Sequence, residues 1–293
     1  IIKHINKIQK KKYRYTQREA TISFFKYGSY LVRKEYSNQL LGFLNNVVQK
    51  NGKLITVLGG EGLGKGDMLT LFKYNILNNN YYIFDYTCSP ERRDPFFALI
   101  KEFSSATLSN ERKSNIESDI SEKLRIYLEQ SEDDASMLNE TKDHLQQDYE
   151  YSMQFISQLS EEKPLVFIIR DGRYLTEQTI GFLNYIARDI NRLRVMIIIS
   201  INDPEKIKSL KFAVRVLMKT LSNNETHKYL ENIFKTEVPK SFADDIWSRS
   251  NGNPQYVIGI LSDMIEKKIF LKTDSISFDV DFTNFQLPKE SHS

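Results

Sequence analysis

One cysteine, Cys88, and four histidines are all that the 293 residues offer for sulfur or imidazole chemistry. A lone cysteine excludes an internal disulfide, and so few Cys and His, none clustered at ligand spacing, argue against a structural zinc site. No apolar run reaches the roughly 18 residues that a spanning helix requires. The most apolar stretches, 165–169 and 195–201, are strand-sized, which argues against membrane insertion. Charge of one sign is also scarce: 41 Lys and Arg face 38 Asp and Glu, and the net +3 is too mild to indicate nucleic acid by itself. Initiator methionine and signal sequence are both missing, so the expectation is a piece of a longer polypeptide in a reducing, cytoplasmic compartment.

What is present is a globular composition, 40% hydrophobic, long enough for one large domain or two smaller ones. Positive charge is concentrated at the start, in Lys3, Lys7, Lys10, Lys11, Lys12 and Arg14. That segment reads either as a solvated linker or as a basic arm for nucleic acid or acidic lipid. Leu40, Leu41, Leu44, Val47 and Val48 then fall on one helical face, and Asn51-Gly52 signals a turn. A strand over 54–58, a glycine-rich loop, a helix and a second strand over 81–88 follow, which is the order of a parallel crossover unit. Residues 94–160 carry helical spacing broken by charge-rich turns. Two further apolar runs, "PLVFIIRD" and "RVMIIISIND", read as strands covered on both faces, with a helix between them. From Asp203 the character changes to short helices, and the end alternates like a hairpin around Asp274-Ser275.

The stretch "LITVLGGEGLGKGD" carries the chemistry. Gly59, four residues, Gly64 and Lys65 satisfy all but the last position of a phosphate-binding loop. In such a loop Gly59, Gly60, Glu61, Gly62 and Leu63 wrap so that backbone N–H groups point at phosphate oxygens. Gly64 closes the turn, Lys65 reaches the outer phosphates, and the helix beginning at Gly66 and Asp67 adds its positive end. The pattern asks for Ser or Thr after the lysine, because that hydroxyl ligates magnesium, but Gly66 has none. Asp67, about 100° further round the helix, is badly placed to replace it and suits the helix N-terminus instead.

A phosphate-loop ATPase also needs an acid at the end of a second buried strand to hold the metal's water shell. The strand "PLVFIIRD" ends in Arg170 and Asp171, so the first acidic position is a cation. Arg170 either leaves the sheet into solvent, pairs with Asp171, or brings its guanidinium to phosphate in place of the metal. Gly66 and Arg170 thus fall on the two metal-handling positions; Gly66 alone is ambiguous, and the coincidence of the two predicts weak or absent magnesium-dependent hydrolysis.

In order along the chain, "YLVRKEYSNQLLGFL", "LGGEGLGKGDMLTLF", "PLVFIIRDGRYLTEQTIGFL", "RVMIIISIND", "LSNNETHKYLENIF" and "IWSRSNGNPQYVIGILSDMI" resemble the blocks of STAND-type AAA+ signalling ATPases, the Orc1-like AAA ATPase domains among them. The resemblance implies an α/β fold: a P-loop NTPase with a doubly wound parallel sheet, followed by a small helical lid. In those terms 1–27 is a basic linker, 28–203 the nucleotide-binding core, 204–270 the lid, and 271–293 a hairpin entering a following domain. It also places Val32, Arg33 and Pro254 near the base, Lys65 on the phosphates, and Asp171 at the second, catalytic, acidic position. The implied ligand is ATP or ADP, with no metal site left intact for Mg2+.

The function expected is a degenerate nucleotide-binding module acting as switch or scaffold in a larger regulator. Its expected partners are other domains of the same chain, protein partners or further copies of itself. The alternatives are an active ATPase with altered metal coordination and a nucleic-acid-binding module of the origin-recognition kind. Mild net charge and the lack of a winged helix argue against the last.

Overall fold

A computed structural model describes residues 33–92, 94–96, 142–267, 271–272, 275–276, 278 and 280. The basic segment, Val32, most of the expected helices before residue 142 and the last thirteen residues lie outside the described residues. The chain forms two compact units. Of the described residues, one gathers 33–35, Glu61–Met68 and the chain from Lys219 onward; the other comprises Tyr36–Gly60 and Leu69–Met218.

The larger unit is a five-stranded parallel sheet. Its strands are β1 (Lys53–Leu58), β2 (Tyr82–Thr87), β3 (Leu165–Arg170), β4 (Val195–Ile201) and β5 (Val214–Leu217), in the order β2–β3–β4–β1–β5. All four neighbouring pairs are parallel, with Ile55 opposite Ile198, Phe167 opposite Ile197, and Asp85 opposite Ile168. Parallel strands need helical crossovers, which cover both faces, so their sequences become continuous Val, Ile and Leu. All seven residues of β4 are buried, and Ser200 is its only polar side chain.

The helices lying wholly or mostly in this unit are α1 (Lys34–Val48), α2 (Lys65–Ile76), whose first turn is counted with the smaller unit, α3 (Lys142–Glu162), α4 (Glu177–Ala187) and α5 (Pro204–Ser209). Helix α1 buries Leu40, Leu44 and Val47 of the face its spacing indicates, while Leu41 is half-buried and Val48, in the last turn, is exposed. Helix α4 is N-capped by Thr176, whose hydroxyl accepts from the Thr179 N–H at 3.2 Å.

Strand β5 departs from the sequence reading, which ended the core at Asp203 and placed no strand between there and the terminal hairpin. "VRVL" is an edge strand paired with β1 and buries only Val216, so it lacks the apolar run that marks the other strands. The sheet therefore continues to Met218, whose N–H bonds the Leu58 carbonyl at 2.8 Å.

In the smaller unit, α6 (Asn223–Phe234), α7 (Lys240–Ser250) and α8 (Pro254–Glu266) pack around Tyr229, Leu230, Ile233, Phe242, Ile246 and Val257. Ser222 opens α6 with a capping box closed by Glu225. Asn253 caps α8, whose first residue is Pro254, a position where the missing N–H costs nothing. The single tryptophan, Trp247, donates its indole N–H to the Leu221 carbonyl at 3.0 Å, and the Leu221 N–H bonds the Gly252 carbonyl at 2.8 Å. Strands β6 (Leu271–Lys272) and β7 (Ser275–Ile276) pair antiparallel as the expected hairpin. Beyond it, Phe278 stands edge-on to Phe234 and Phe242, each at 5.2 Å.

Candidate nucleotide site

Strand β1 lies between β4 and β5 and runs directly into Gly59 and Gly60, so the loop leaves the carboxyl end of an interior strand, where open parallel sheets place their ligands. Past Gly60 the chain turns with positive φ at Gly62 (74°) and Gly64 (83°), values that L side chains rarely adopt. Gly62 has a second constraint. A Cβ there would come within 2.5 Å of Asn253 Oδ1 and 2.8 Å of Gln255 Cβ.

Helix α2 begins at Lys65, and its first turn is closed by the Met68 N–H bonding the Gly64 carbonyl at 3.0 Å. The first N–H groups of a helix have no acceptor within it, and with the aligned peptide dipoles they make this end electropositive. Lys65 and Asp67 are half-buried, whereas Gly66 is exposed.

The loop's outward carbonyls are held from within the same unit. Asn253 Nδ2 donates to the Glu61 carbonyl at 3.0 Å, and the Gln255 N–H reaches the Gly62 carbonyl at 3.2 Å while also bonding the Asn253 cap. Arg33, only 3% exposed, donates Nε to the Leu63 carbonyl at 3.0 Å and Nη2 to the Lys219 carbonyl at 2.9 Å. Leu63 is itself buried, and so is Pro254, which follows directly on the Asn253 cap.

At the end of β3, within the larger unit, Arg170 does neither of the local things its sequence suggests. Its side chain is 17% exposed, so it does not run out into solvent. Its guanidinium also pairs with Asp85 of β2 rather than Asp171, Nε to Oδ1 at 2.8 Å and Nη2 to Oδ2 at 3.2 Å. The register explains the pairing: Asp85 lies opposite Ile168, two residues before Arg170, so the two side chains share a face of the sheet. Lys73 of α2 adds a second cation, Nζ to Asp85 Oδ2 at 2.9 Å. Burial pushes the Asp85 carboxyl up, but the hydrogen bonds and charges of Arg170 and Lys73 outweigh it and hold the group below its ordinary value.

Asp171 is exposed and sits in the left-handed region, φ 55° and ψ 48°, its N–H bonding Ser200 Oγ at 3.2 Å. The following Gly172 is buried, and a Cβ there would meet Ile199 Cγ2 at 2.6 Å, which keeps this corner tight against β4. Cys88 is a buried thiol pushed up to about 12 by burial, with Asp171 and Asp94 adding to the shift, so it is not a thiolate nucleophile at neutral pH.

These residues fit a nucleotide's phosphates: positive-φ glycines, a helix start and an in-register lysine. They do not fit magnesium. Gly66 brings no side-chain oxygen, a cation paired to Asp85 stands where the sequence pattern asks for the first acid, and no group of three or more His, Cys, Asp or Glu among the described residues could hold a metal ion. Nor, among them, is any helix long and apolar enough to cross a membrane.

Asp85 and Lys73 were not identified from sequence as site residues, although a charged residue inside the strand "YIFDYT" signals a buried ion pair. Asn253 lies in the block "IWSRSNGNPQYVIGILSDMI", where the resemblance singles out only its neighbour Pro254; its hold on the Glu61 carbonyl required the fold.

Comparison with known proteins adds the family. The KAP family P-loop domain matches residues 33–246, well over half of the chain, and the chain belongs to that family. Drosophila ORC bound to DNA is similar in structure, with a TM-score of 0.53 at 10% identity over 94% of this chain and 70% of that one. A Walker-type ATPase of Pyrococcus abyssi matches at a TM-score of 0.46 and 16% identity, over 80% of this chain and 68% of that one. A signal transduction ATPase with numerous domains (STAND) from Pyrococcus horikoshii, with a tetratricopeptide repeat sensor, matches at 0.43 and 15%, over 73% of this chain and 28% of its own. At such identity the likeness to Drosophila ORC, the one of the three above a TM-score of 0.5, bears on the fold alone, which agrees with the P-loop NTPase fold of the matched family. No curated protein matches the sequence.

Proposed function

We propose that this KAP-family domain binds ATP or ADP through the loop from Gly59 to Asp67, without a magnesium ion held at Gly66 or Arg170, and acts as a switch or scaffold with hydrolysis weak or lost. The observation that carries this reading is the loop itself: positive φ at Gly62 and Gly64, running straight into the start of α2 at Lys65. Phosphate charge would be answered by backbone N–H groups, the positive end of α2 and Lys65. Arg170 is already committed to Asp85, which disfavours its acting as a substitute for the metal.

Occupancy would be transmitted by the groups that hold the loop from outside. Asn253 links the Glu61 carbonyl to the start of α8, and Arg33 links Leu63 to Lys219. A loop that tightens on phosphate biases those elements only to the extent that they bind the two loop states differently. Partners in this reading are other domains of the same longer chain, or further copies of it.

Calorimetry with ATP and ADP, with and without magnesium, tests the proposal. Binding that does not need magnesium and weakens about tenfold or more in Lys65→Ala is expected, with no phosphate release above that variant. Binding of neither nucleotide reduces the domain to a scaffold. Magnesium-dependent turnover lost in Lys65→Ala establishes an active ATPase instead.

A further inference from the structure

The two outer strands of the sheet are finished differently. On β2 no large apolar side chain is exposed, whereas Phe212, Val214 and Leu217, on β5 or just before it, are 54%, 38% and 57% exposed. They are three of the seven large apolar side chains exposed among the described residues, gathered into six consecutive positions.

The backbone is open there as well. A residue's N–H and C=O point to the same side of a strand, and successive residues alternate. The Met218 N–H bonds the Leu58 carbonyl, so Val214 and Val216 face β1 with it. Arg215 and Leu217 therefore direct their backbone groups away from β1, where no strand among the described residues pairs with them. Such an edge is a template for another strand.

Charge selects which strand. From Lys206 to Met218 the chain carries four cations and no carboxylate. Lys206 donates to the Leu175 carbonyl and Lys208 pairs with Glu205, which leaves Lys211 and Arg215 exposed with no carboxylate partner among the described residues. Cations on an edge guard it against strands of like charge. A second copy pairing β5 with β5 would set the same cations on both sides of the contact, and like charges across a strand pair are destabilising. The basic segment of residues 3–14 is opposed in the same way. A row of phosphates would satisfy Arg215 but leave Val214 and Leu217 without apolar contact. A carboxylate opposite Arg215, with apolar side chains around it, satisfies both.

We propose that the open edge of β5 is a docking site for an extended, acidic and apolar segment of a protein partner, which adds to the sheet as a further strand. The site lies wholly within the larger unit and uses no residue of the glycine loop, so it stands independently of nucleotide binding.

The test uses the whole 293-residue chain and a fluorescein-labelled peptide of alternating Glu and Val, read by fluorescence anisotropy. A Lys-Val peptide and a Glu-Val peptide methylated on its backbone nitrogens are the controls. The Glu-Val peptide is expected to bind at least about tenfold more tightly than either. Arg215→Glu is expected to weaken it about tenfold and to strengthen the Lys-Val peptide, and Leu217→Ser to weaken it about threefold. Both side chains are exposed, so urea midpoints should match the wild type, and the peptide comparison on wild-type protein decides the matter even where a variant does not fold. No binding of the Glu-Val peptide overturns the proposal, as does equal binding of the Lys-Val peptide. Indifference to backbone methylation overturns it too, since charge attraction alone then accounts for the binding. Dimers in sedimentation velocity that Leu217→Ser breaks assign the edge to a second copy instead. Binding of oligothymidine that Arg215→Glu abolishes, without peptide binding, assigns it to nucleic acid.

Discussion

The glycine loop and the end of β3 are held by opposite kinds of force. The loop from Glu61 to Leu63 is fixed by hydrogen bonds to its backbone carbonyls, from the Asn253 amide, the Gln255 N–H and the Arg33 guanidinium. The end of β3 is fixed by charge, with Arg170 and Lys73 converging on Asp85. A carbonyl contact survives changes of pH, whereas a carboxylate between two cations depends on remaining ionised. Acid therefore separates the two regions, and substitutions separate them further.

The largest effect is expected from Arg170→Met. It removes the bidentate partner of a largely buried carboxylate and leaves only Lys73, at a cost of about 2–3 kcal/mol in urea unfolding. If the ion pair contributes nothing, the midpoint stays at the wild-type value.

Gly62→Ala comes next. Its left-handed φ and the 2.5 Å approach to Asn253 Oδ1 make strain of about 1–2 kcal/mol unavoidable, and nucleotide affinity should fall because the loop must shift. Undiminished binding at undiminished stability would show that the loop is not held by α8.

Asn253→Ala removes the α8 cap and the Glu61 contact together, an expected loss of about 1 kcal/mol in chemical unfolding.

The pH comparison follows from Asp85. Its folded value is lowered, so its contribution is present above the ordinary carboxylate range and is lost as pH falls from about 4 through the lowered value. Tm measured from pH 7 to 3 should therefore drop less steeply in Asp85→Asn than in the wild type, while Asn253→Ala keeps the wild-type slope. Equal slopes in all three proteins would remove the charge-held half of the contrast.

How much of this was legible in the chain depended on whether the deciding signal was local. Strands β1, β3 and β4 are continuous apolar runs, and "GGEGLGKGD" carries its own turn chemistry, so sheet class and loop could both be read directly. Strand β5 could not. Four residues with one buried side chain resemble a loop, and only pairing with β1 makes them a strand. The destination of Arg170 was hidden for a related reason. Asp85 is 85 positions away in sequence and becomes its neighbour only through the β2–β3 register. Position 170 could be recognised as a cation where an acid belongs, but its partner required the fold.

The Trp247 indole bonded to Leu221 has an optical consequence. It is the chain's one tryptophan, and Leu221 is tied in turn to Gly252, beside the Asn253 that holds Glu61. Excited at wavelengths selective for indole, the protein thus emits from a single place in the helical unit, with no tryptophan background from the sheet. A change in that emission on adding ATP would report rearrangement of the turn ahead of α8, with no label attached.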